Sequence, residues 1–142
     1  MRMTYGQTNA LFTEDSGSQI SNPGDFYAGG DAGLVPEAVN NSAFQDQHNT
    51  GPLPQGSYSI GDPTVDQHLG PVMWLTPDPA NQMFGRSSFG IHCKNSKRDA
   101  GMLGTPAGRN SSDGCIVAVT YAAWLNIANR QKAGDNKLEV TA

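Results

Sequence analysis

Hydrophobic and polar residues alternate over short stretches along most of this chain, and glycine, proline and asparagine separate those stretches. Such alternation is typical of half-buried β-strands joined by turns. The pattern therefore predicts a β-rich chain of short strands. The predicted strands are Met3–Gln7, Ala10–Thr13, Asp25–Ala28, Ser57–Ile60, Val72–Leu75, Ser88–Cys93, Ile116–Val119 and a closing edge strand at Lys137–Thr141.

One stretch has helical periodicity instead. Tyr121 to about Lys132 places apolar side chains on a single face, which predicts an α-helix packed on the sheet. Thr120 is suited to cap its start and Gly134 to end it. The predicted buried face comprises Tyr121, Trp124, Leu125 and Ala128, and we also expect Trp74 in the core.

Composition supports the same fold class. The chain has 142 residues, which is enough for one domain with a hydrophobic core. It contains 17 glycines and 9 prolines, which favours strands and turns over a helical bundle. We expect a mainly β (α+β) fold in which residues 1–142 form a single domain with one helix near the C-terminus.

The distribution of charged and apolar residues makes some classes of binding partner and location unlikely. The net charge is −4 and the longest basic run is the pair Lys97-Arg98, so nucleic-acid binding is not expected. The sequence has no apolar segment of the roughly 18 residues that a membrane span needs. The first residues also lack the apolar core of a classical secretory signal.

Two strand-like segments carry the residues most suited to chemistry. Phe89-Gly90-Ile91-His92 presents an imidazole, and Ser112-Asp113-Gly114-Cys115 presents a thiol at the start of the next apolar run. A thiol attacks as its thiolate, and a neighbouring imidazole is the usual group that removes the proton. We therefore predict a cysteine acyl-transfer site with Cys115 as nucleophile and His92 as base.

Other interpretations of these residues remain open. Cys115 would also suit a buried structural position, and His92 a hydrogen-bonded core position. A disulfide between Cys93 and Cys115 would mask the nucleophile, and zinc would find N, S and O ligands in His92, Cys93, Asp113 and Cys115. The paired C-x-x-C spacing of structural zinc sites is missing, so we expect no metal and no cofactor. Cys93 is expected to be structural, and His48 and His68 to face solvent.

Three segments together resemble the L,D-transpeptidase catalytic domain family, whose members act on the stem peptides of bacterial peptidoglycan. They are Gly51-Pro52-Leu53-Pro54-Gln55-Gly56-Ser57-Tyr58, Gly85-Arg86-Ser87-Ser88-Phe89-Gly90-Ile91-His92 and Ser112-Asp113-Gly114-Cys115. The resemblance is greatest to the type VI secretion L,D-transpeptidase effectors. Asp113 replaces a histidine of the wider family, and Cys93 replaces the glycine that usually follows the first histidine.

The resemblance implies a β-sandwich of short strands and a site built around His92 and Cys115. It makes the backbone carbonyl of Cys93 the group that orients His92. The residue types add oxyanion and loop support from Gly114, Ser112 and Asp113. Arg86 and Arg109 are candidates for binding substrate carboxylates, because a guanidinium binds a carboxylate with two parallel hydrogen bonds.

The implied function is cysteine L,D-carboxypeptidase or L,D-transpeptidase activity on stem tetrapeptides, as an antibacterial effector toxin. Such an effector would be secreted without a classical signal peptide, act in the periplasm of a target bacterium and have a cognate immunity protein. The alternative is a catalytically inactive module on the same fold that binds peptidoglycan or protein. A cysteine peptidase of another wall-degrading fold is disfavoured, because those enzymes commonly place histidine after the cysteine and no histidine follows Cys115.

Overall fold

The structure, a computed structural model, describes residues 2–30, 34–94 and 114–142. Nine strands within these residues join into one curved, nearly closed, barrel-like sheet in the order β2-β1-β9-β4-β6-β7-β8-β3, with β5 paired to β6. The strands are β1 (Arg2–Gly6), β2 (Leu11–Glu14), β3 (Phe26–Ala28), β4 (Gly56–Ile60), β5 (Thr64–Asp66), β6 (Gly70–Pro77), β7 (Gly90–Cys93), β8 (Ile116–Ala118) and β9 (Lys137–Thr141). The predicted mainly β fold is confirmed.

Two pairs of neighbouring strands are parallel and the others are antiparallel. β1 pairs with β9 in parallel, and β7 pairs with β8 in parallel. The long strand β6 joins the two halves of the sheet, because it pairs with β4 near one end and with β7 near the other. Alternate residues of the strands point inward and form one apolar core.

Among the described residues there is one α-helix, α1 (Tyr121–Lys132). Its predicted start is confirmed, because the Thr120 hydroxyl accepts a hydrogen bond from the Ala123 N–H at 3.2 Å. Its predicted end is also confirmed, since Gly134 has a φ of +115° just after the last turn. Two 3₁₀ turns, at Pro36–Ala38 and Ser42–Phe44, precede β4.

The packing face of α1 is partly different from the prediction. Trp124 and Ala128 are buried as expected, but Tyr121 is exposed and stacks on the outer side of Trp124. Ala123 and Ile127 take part in the core instead. The buried stripe therefore begins at Ala123 and Trp124 in the first turn and continues through Ile127 and Ala128, while Tyr121 lies outside it. No helix of the described residues is both long and apolar enough to cross a bilayer.

Two further predictions, on the position of β9 and on the burial of Trp74, were wrong. β9 is not an edge strand, because β1 and β4 flank it on both sides. Trp74 is not in the core, because it is 38% exposed on the outer face of β6. Strand alternation explains the second error: Met73 and Leu75 point inward, so Trp74 between them points outward. β5 was missed, since it is short and mostly exposed.

Candidate active site

His92 and Cys115 lie on neighbouring strands. His92 is in β7, and Cys115 immediately precedes β8, which pairs with β7 in parallel. In that register His92 lies opposite Val117. Two segments that are separated in the sequence therefore bring their motif residues to the same part of the sheet.

The two side chains belong to the same face of the sheet. Ile91 and Ile116 point into the core, so alternation directs His92, Cys115 and Val117 to the opposite face. Neighbouring strands are about 4.8 Å apart and two residues span about 6.6 Å, which separates the Cα atoms of His92 and Cys115 by about 8 Å. A histidine and a cysteine side chain are together long enough to span such a separation.

The imidazole of His92 is held by its own strand. His92 is only 2% exposed, and its Nδ1 lies 2.9 Å from the carbonyl oxygen of Cys93. A carbonyl only accepts hydrogen bonds, so Nδ1 carries the proton in this contact. Neutral imidazole then has its lone pair on Nε2, the nitrogen that a general base needs. This carbonyl is the group that, according to the family resemblance, orients the His92 ring.

The thiol of Cys115 lies beside a turn of unusual backbone conformation. Its Sγ is 3.9 Å from the carbonyl oxygen of Ser88, and Cys115 is half-buried. Ser88 has a φ of +67°, a left-handed conformation that costs a non-glycine residue about 1 kcal/mol or more. The residue in this conformation is therefore the one whose carbonyl oxygen lies next to the Cys115 thiol.

Cys93 has a different environment. Its side chain packs against the core, on the face opposite to His92, as the sequence predicted for a structural cysteine. Burial raises the pKa of the Cys93 thiol to about 11, so it stays protonated at neutral pH. Neither Cys93 nor Cys115 is part of a disulfide, so no disulfide masks Cys115.

Arg86 is buried beneath the segment that carries Cys115. Its Nη1 donates hydrogen bonds to the carbonyls of Gln45 at 2.6 Å and Pro52 at 2.7 Å, and its Nη2 donates to the carbonyl of Gly51 at 2.9 Å. Its guanidinium also lies 5.0 Å from the centre of the Phe89 ring, which is a cation–π contact. Arg86 thus holds backbone in place; its expected role in binding a substrate carboxylate stays a prediction.

Two other buried side chains hold the next carbonyls of the same segment. Gln7 donates from Nε2 to the Leu53 carbonyl at 2.6 Å, and the Tyr58 hydroxyl donates to the Pro54 carbonyl at 2.6 Å. All four carbonyls of the Gly-Pro-Leu-Pro segment, residues 51–54, are therefore fixed by side chains. Burial raises the pKa of Tyr58, which keeps its hydroxyl protonated as a donor.

This fixed segment supports the residue before the thiol. The N–H of Leu53 donates to the carbonyl of Gly114 at 3.0 Å, which sets the plane of the peptide that carries the Cys115 N–H. Gly114 has a φ of +133°, and a Cβ there would lie 2.6 Å from Arg86 Nη2 and 2.7 Å from the Phe89 ring. Only glycine fits this position, which agrees with its predicted role in close backbone approach.

The remaining predicted residues divide into two groups. Arg109, Ser112 and Asp113 lie outside the described residues. His48 and His68 are exposed, as predicted. Within residues 2–30, 34–94 and 114–142, no three or more His, Cys, Asp or Glu side chains gather as metal ligands.

Sequence reasoning missed how the Gly-Pro-Leu-Pro segment is held. Tyr58 belongs to the motif quoted above, and its spacing from Pro54 contained a signal for this contact. Gln7 gives no such signal, because it lies 46 positions before its partner Leu53 and follows an ordinary strand pattern. Arg86 was noticed for its charge, while its carbonyl partners come from two loops that only the fold brings together.

Comparison with known families gives one match. The family model described as the Tlde1 domain matches residues 33–141, which is most of the chain and includes both His92 and Cys115. Searches of the curated proteins and of the solved structures find no match.

Proposed function

Since this chain belongs to the Tlde1 domain family of type VI secretion L,D-transpeptidase effectors, we propose that it is a cysteine enzyme that cleaves or exchanges the terminal residue of peptidoglycan stem tetrapeptides. Members of this family are secreted type VI effectors that act on target bacteria. For this chain, the nucleophile is Cys115 and the base is His92.

The proposed reaction begins when His92 Nε2 takes the proton of the Cys115 thiol. The sulfur then attacks the carbonyl carbon of the third stem residue, a diamino acid, and the C–N bond to the terminal D-alanine breaks. The imidazolium returns its proton to the leaving amine, so D-alanine departs neutral at that nitrogen. Water resolves the thioester to a tripeptide, and an amine from another stem or a free D-amino acid gives a cross-link or exchange.

The strongest support is the parallel register of β7 and β8. It supports the pairing because, by strand alternation, His92 and Cys115 share one face of the sheet, and the 2.9 Å contact between Nδ1 and the Cys93 carbonyl supports Nε2 as the basic nitrogen. The support of the Gly114–Cys115 peptide by Leu53 favours a backbone oxyanion hole at the Cys115 N–H, because a fixed donor stabilises developing charge without reorganising.

The proposed place of action is the periplasm of the target cell, where stem peptides are accessible. A producing cell exposed to the same enzyme would need a cognate immunity protein. Arg109, Ser112 and Asp113 keep their proposed roles in carboxylate binding and loop support.

The test is D-alanine release from purified tetrapeptide muropeptides. Cys115→Ala should lower the rate at least about 10³-fold, because the covalent step has no substitute nucleophile. His92→Gln should lower it by about 10²–10⁴-fold, with the exposed His68→Gln as the matched control that keeps the original rate. Unfolding midpoints of all variants verify that the fold persists.

The same experiment separates the enzyme from an inactive binding module. A module would release no D-alanine in its unaltered form and would still bind muropeptides. Release that continues undiminished in Cys115→Ala would show that another group performs the chemistry, and the proposed mechanism would be wrong.

A further inference from the structure

The register of three strands places Trp74 in the same row as Cys115. Trp74 lies opposite Gly90 in the pairing of β6 with β7. Ile91 lies opposite Ile116 in the pairing of β7 with β8, so the preceding residues, Gly90 and Cys115, are also neighbours. Trp74, Gly90 and Cys115 therefore cross the sheet in one line on its outer face.

The indole of Trp74 lies over Gly90. A Cβ at Gly90 would be 3.2 Å from Cε3 of Trp74 and 2.9 Å from Cγ2 of Val72. The missing side chain thus provides the space that the ring uses. The ring is one strand spacing, about 4.8 Å, from the line of the thiol-bearing segment.

Trp74 is also more exposed to solvent than its neighbours on the same face of the sheet. It is 38% exposed, whereas Val72, His92 and Val117 on the same face are almost fully buried. An aromatic ring that is partly exposed beside a predicted nucleophile offers a flat apolar surface to whatever the nucleophile attacks. Nothing in the proposed chemistry yet uses this surface.

We infer that Trp74 is a substrate-positioning residue, and that its indole packs against the hydrocarbon part of the acyl-donor residue whose carbonyl Cys115 attacks. The inference rests on the proposed function. The carbonyl carbon that Sγ attacks is bonded to the Cα that bears the side chain, and the ring over Gly90 lies about one strand spacing, roughly 4.8 Å, from the strand of Cys115. The aliphatic arm of a diamino acid is long enough to cover the ring.

Fluorescence tests this contact without catalysis. The chain has two tryptophans, and Trp124 is buried with its Nε1 donating to the Ile91 carbonyl at 2.8 Å. In the Cys115→Ala protein, a tetrapeptide muropeptide should therefore change the emission of Trp74 as it binds. The double variant Cys115→Ala/Trp74→Phe should lose this change, while Cys115→Ala/Tyr121→Leu, which alters an exposed aromatic residue on α1, should keep it.

Steady-state kinetics test whether the contact between Trp74 and the substrate contributes to the reaction. Trp74→Ala should raise KM and lower kcat/KM on the order of tenfold, because a well-placed tryptophan is often a major binding contact. Trp74→Phe should retain most of the activity. If the alanine variant has a lowered unfolding midpoint, the same measurements are made on Trp74→Leu instead. A merely structural role would lower the midpoint and leave the KM of the folded protein unchanged.

The outcomes separate this inference from the function on which it rests. If the unaltered protein releases D-alanine, and Trp74→Ala and Trp74→Leu release it with the original kcat/KM and KM, the inference is overturned and the function stands. If the unaltered protein releases no D-alanine, the function fails. The fluorescence titration then still decides whether Trp74 contacts a bound stem peptide, and an unchanged emission at saturating muropeptide overturns the inference.

Discussion

The two cysteines show how environment divides one residue type into two roles. Cys93 packs against the core, and burial raises the pKa of its thiol to about 11. Cys115 is on the other face of the sheet, next to the Ser88 carbonyl and on the face of His92. At the residue scale, we therefore propose that Cys115 is the nucleophile and that Cys93 is structural.

This assignment predicts selective alkylation. At pH 6, iodoacetamide should modify Cys115 faster than free cysteine and leave Cys93 unmodified, because a thiol with a pKa near 11 has almost no thiolate there. Peptide mass spectrometry of the modified protein identifies the site. Equal labelling of both cysteines, or faster labelling of Cys93, would contradict the assignment.

The same shift predicts a pH effect on stability. The folded pKa of Cys93 is raised above its ordinary value of 9.0, so the folded state favours the neutral thiol. Its contribution to stability is complete below pH 9 and is lost as the pH rises towards 11. Cys93→Ala should therefore have a smaller loss of unfolding free energy than the unaltered protein between pH 9 and 11. An equal loss in both proteins would show that the Cys93 pKa is not raised.

At the scale of elements, the site depends on a loop whose backbone is held by side chains from elsewhere. The Gly-Pro-Leu-Pro segment has all its carbonyls bound by Arg86, Gln7 and Tyr58, and it in turn holds the peptide before Cys115 through Leu53. Buried carbonyls need such partners, since an unsatisfied one costs about 1–3 kcal/mol. The loop is thus rigid because of long-range contacts rather than because of its prolines alone.

Arg86→Lys tests this role. A lysine keeps the charge but lacks the planar group that reaches several carbonyls at once, so the unfolding free energy should fall by about 2–4 kcal/mol. Urea denaturation measures it, and Arg2→Lys at an exposed ion pair is the matched control with a change below about 1 kcal/mol. An unchanged stability with a raised KM would instead favour the role of Arg86 in binding a substrate carboxylate.

Short-range patterns in the sequence were enough to predict most elements. The α1 boundaries, the Thr120 cap and the inward residues of β7 and β8 follow from local periodicity and capping. The contacts of Arg86 and Gln7 were not predictable in this way, because their partners are 34 to 46 positions away and are backbone atoms. The predicted burial of Trp74 was wrong for a related reason. An aromatic residue in an apolar run is expected to be buried until the strand register shows which face of the sheet it occupies.

At the scale of the whole molecule, β9 joins β1 and β2 to the remaining strands of the sheet. β9 is inserted between β1 and β4, so residues from both ends of the chain meet in the middle of one half of the sheet. The sequence predicted the strand but not this position, because alternation reports which residues face inward and says nothing about which strands pair. The candidate site is thus built on a sheet in which β9 pairs with both β1 and β4.

Leu138→Ala tests the central position of β9. Leu138 is buried in the core, so its truncation should lower the unfolding free energy by about 2–5 kcal/mol. Thr141→Ala, at an exposed position of the same strand, should change it by less than about 0.5 kcal/mol. If both variants unfold at the denaturant concentration of the unaltered protein, β9 is peripheral and the topology described here is wrong.

The most direct test of the proposed nucleophile is rapid-quench mass spectrometry of the protein mixed with a tetrapeptide muropeptide. We expect Cys115 to gain the mass of the substrate less that of D-alanine, a difference that already includes the lost thiol hydrogen, and we expect no such gain in Cys115→Ala. Release of D-alanine with no adduct on Cys115 at any quench time, or an adduct on Cys93, would contradict it.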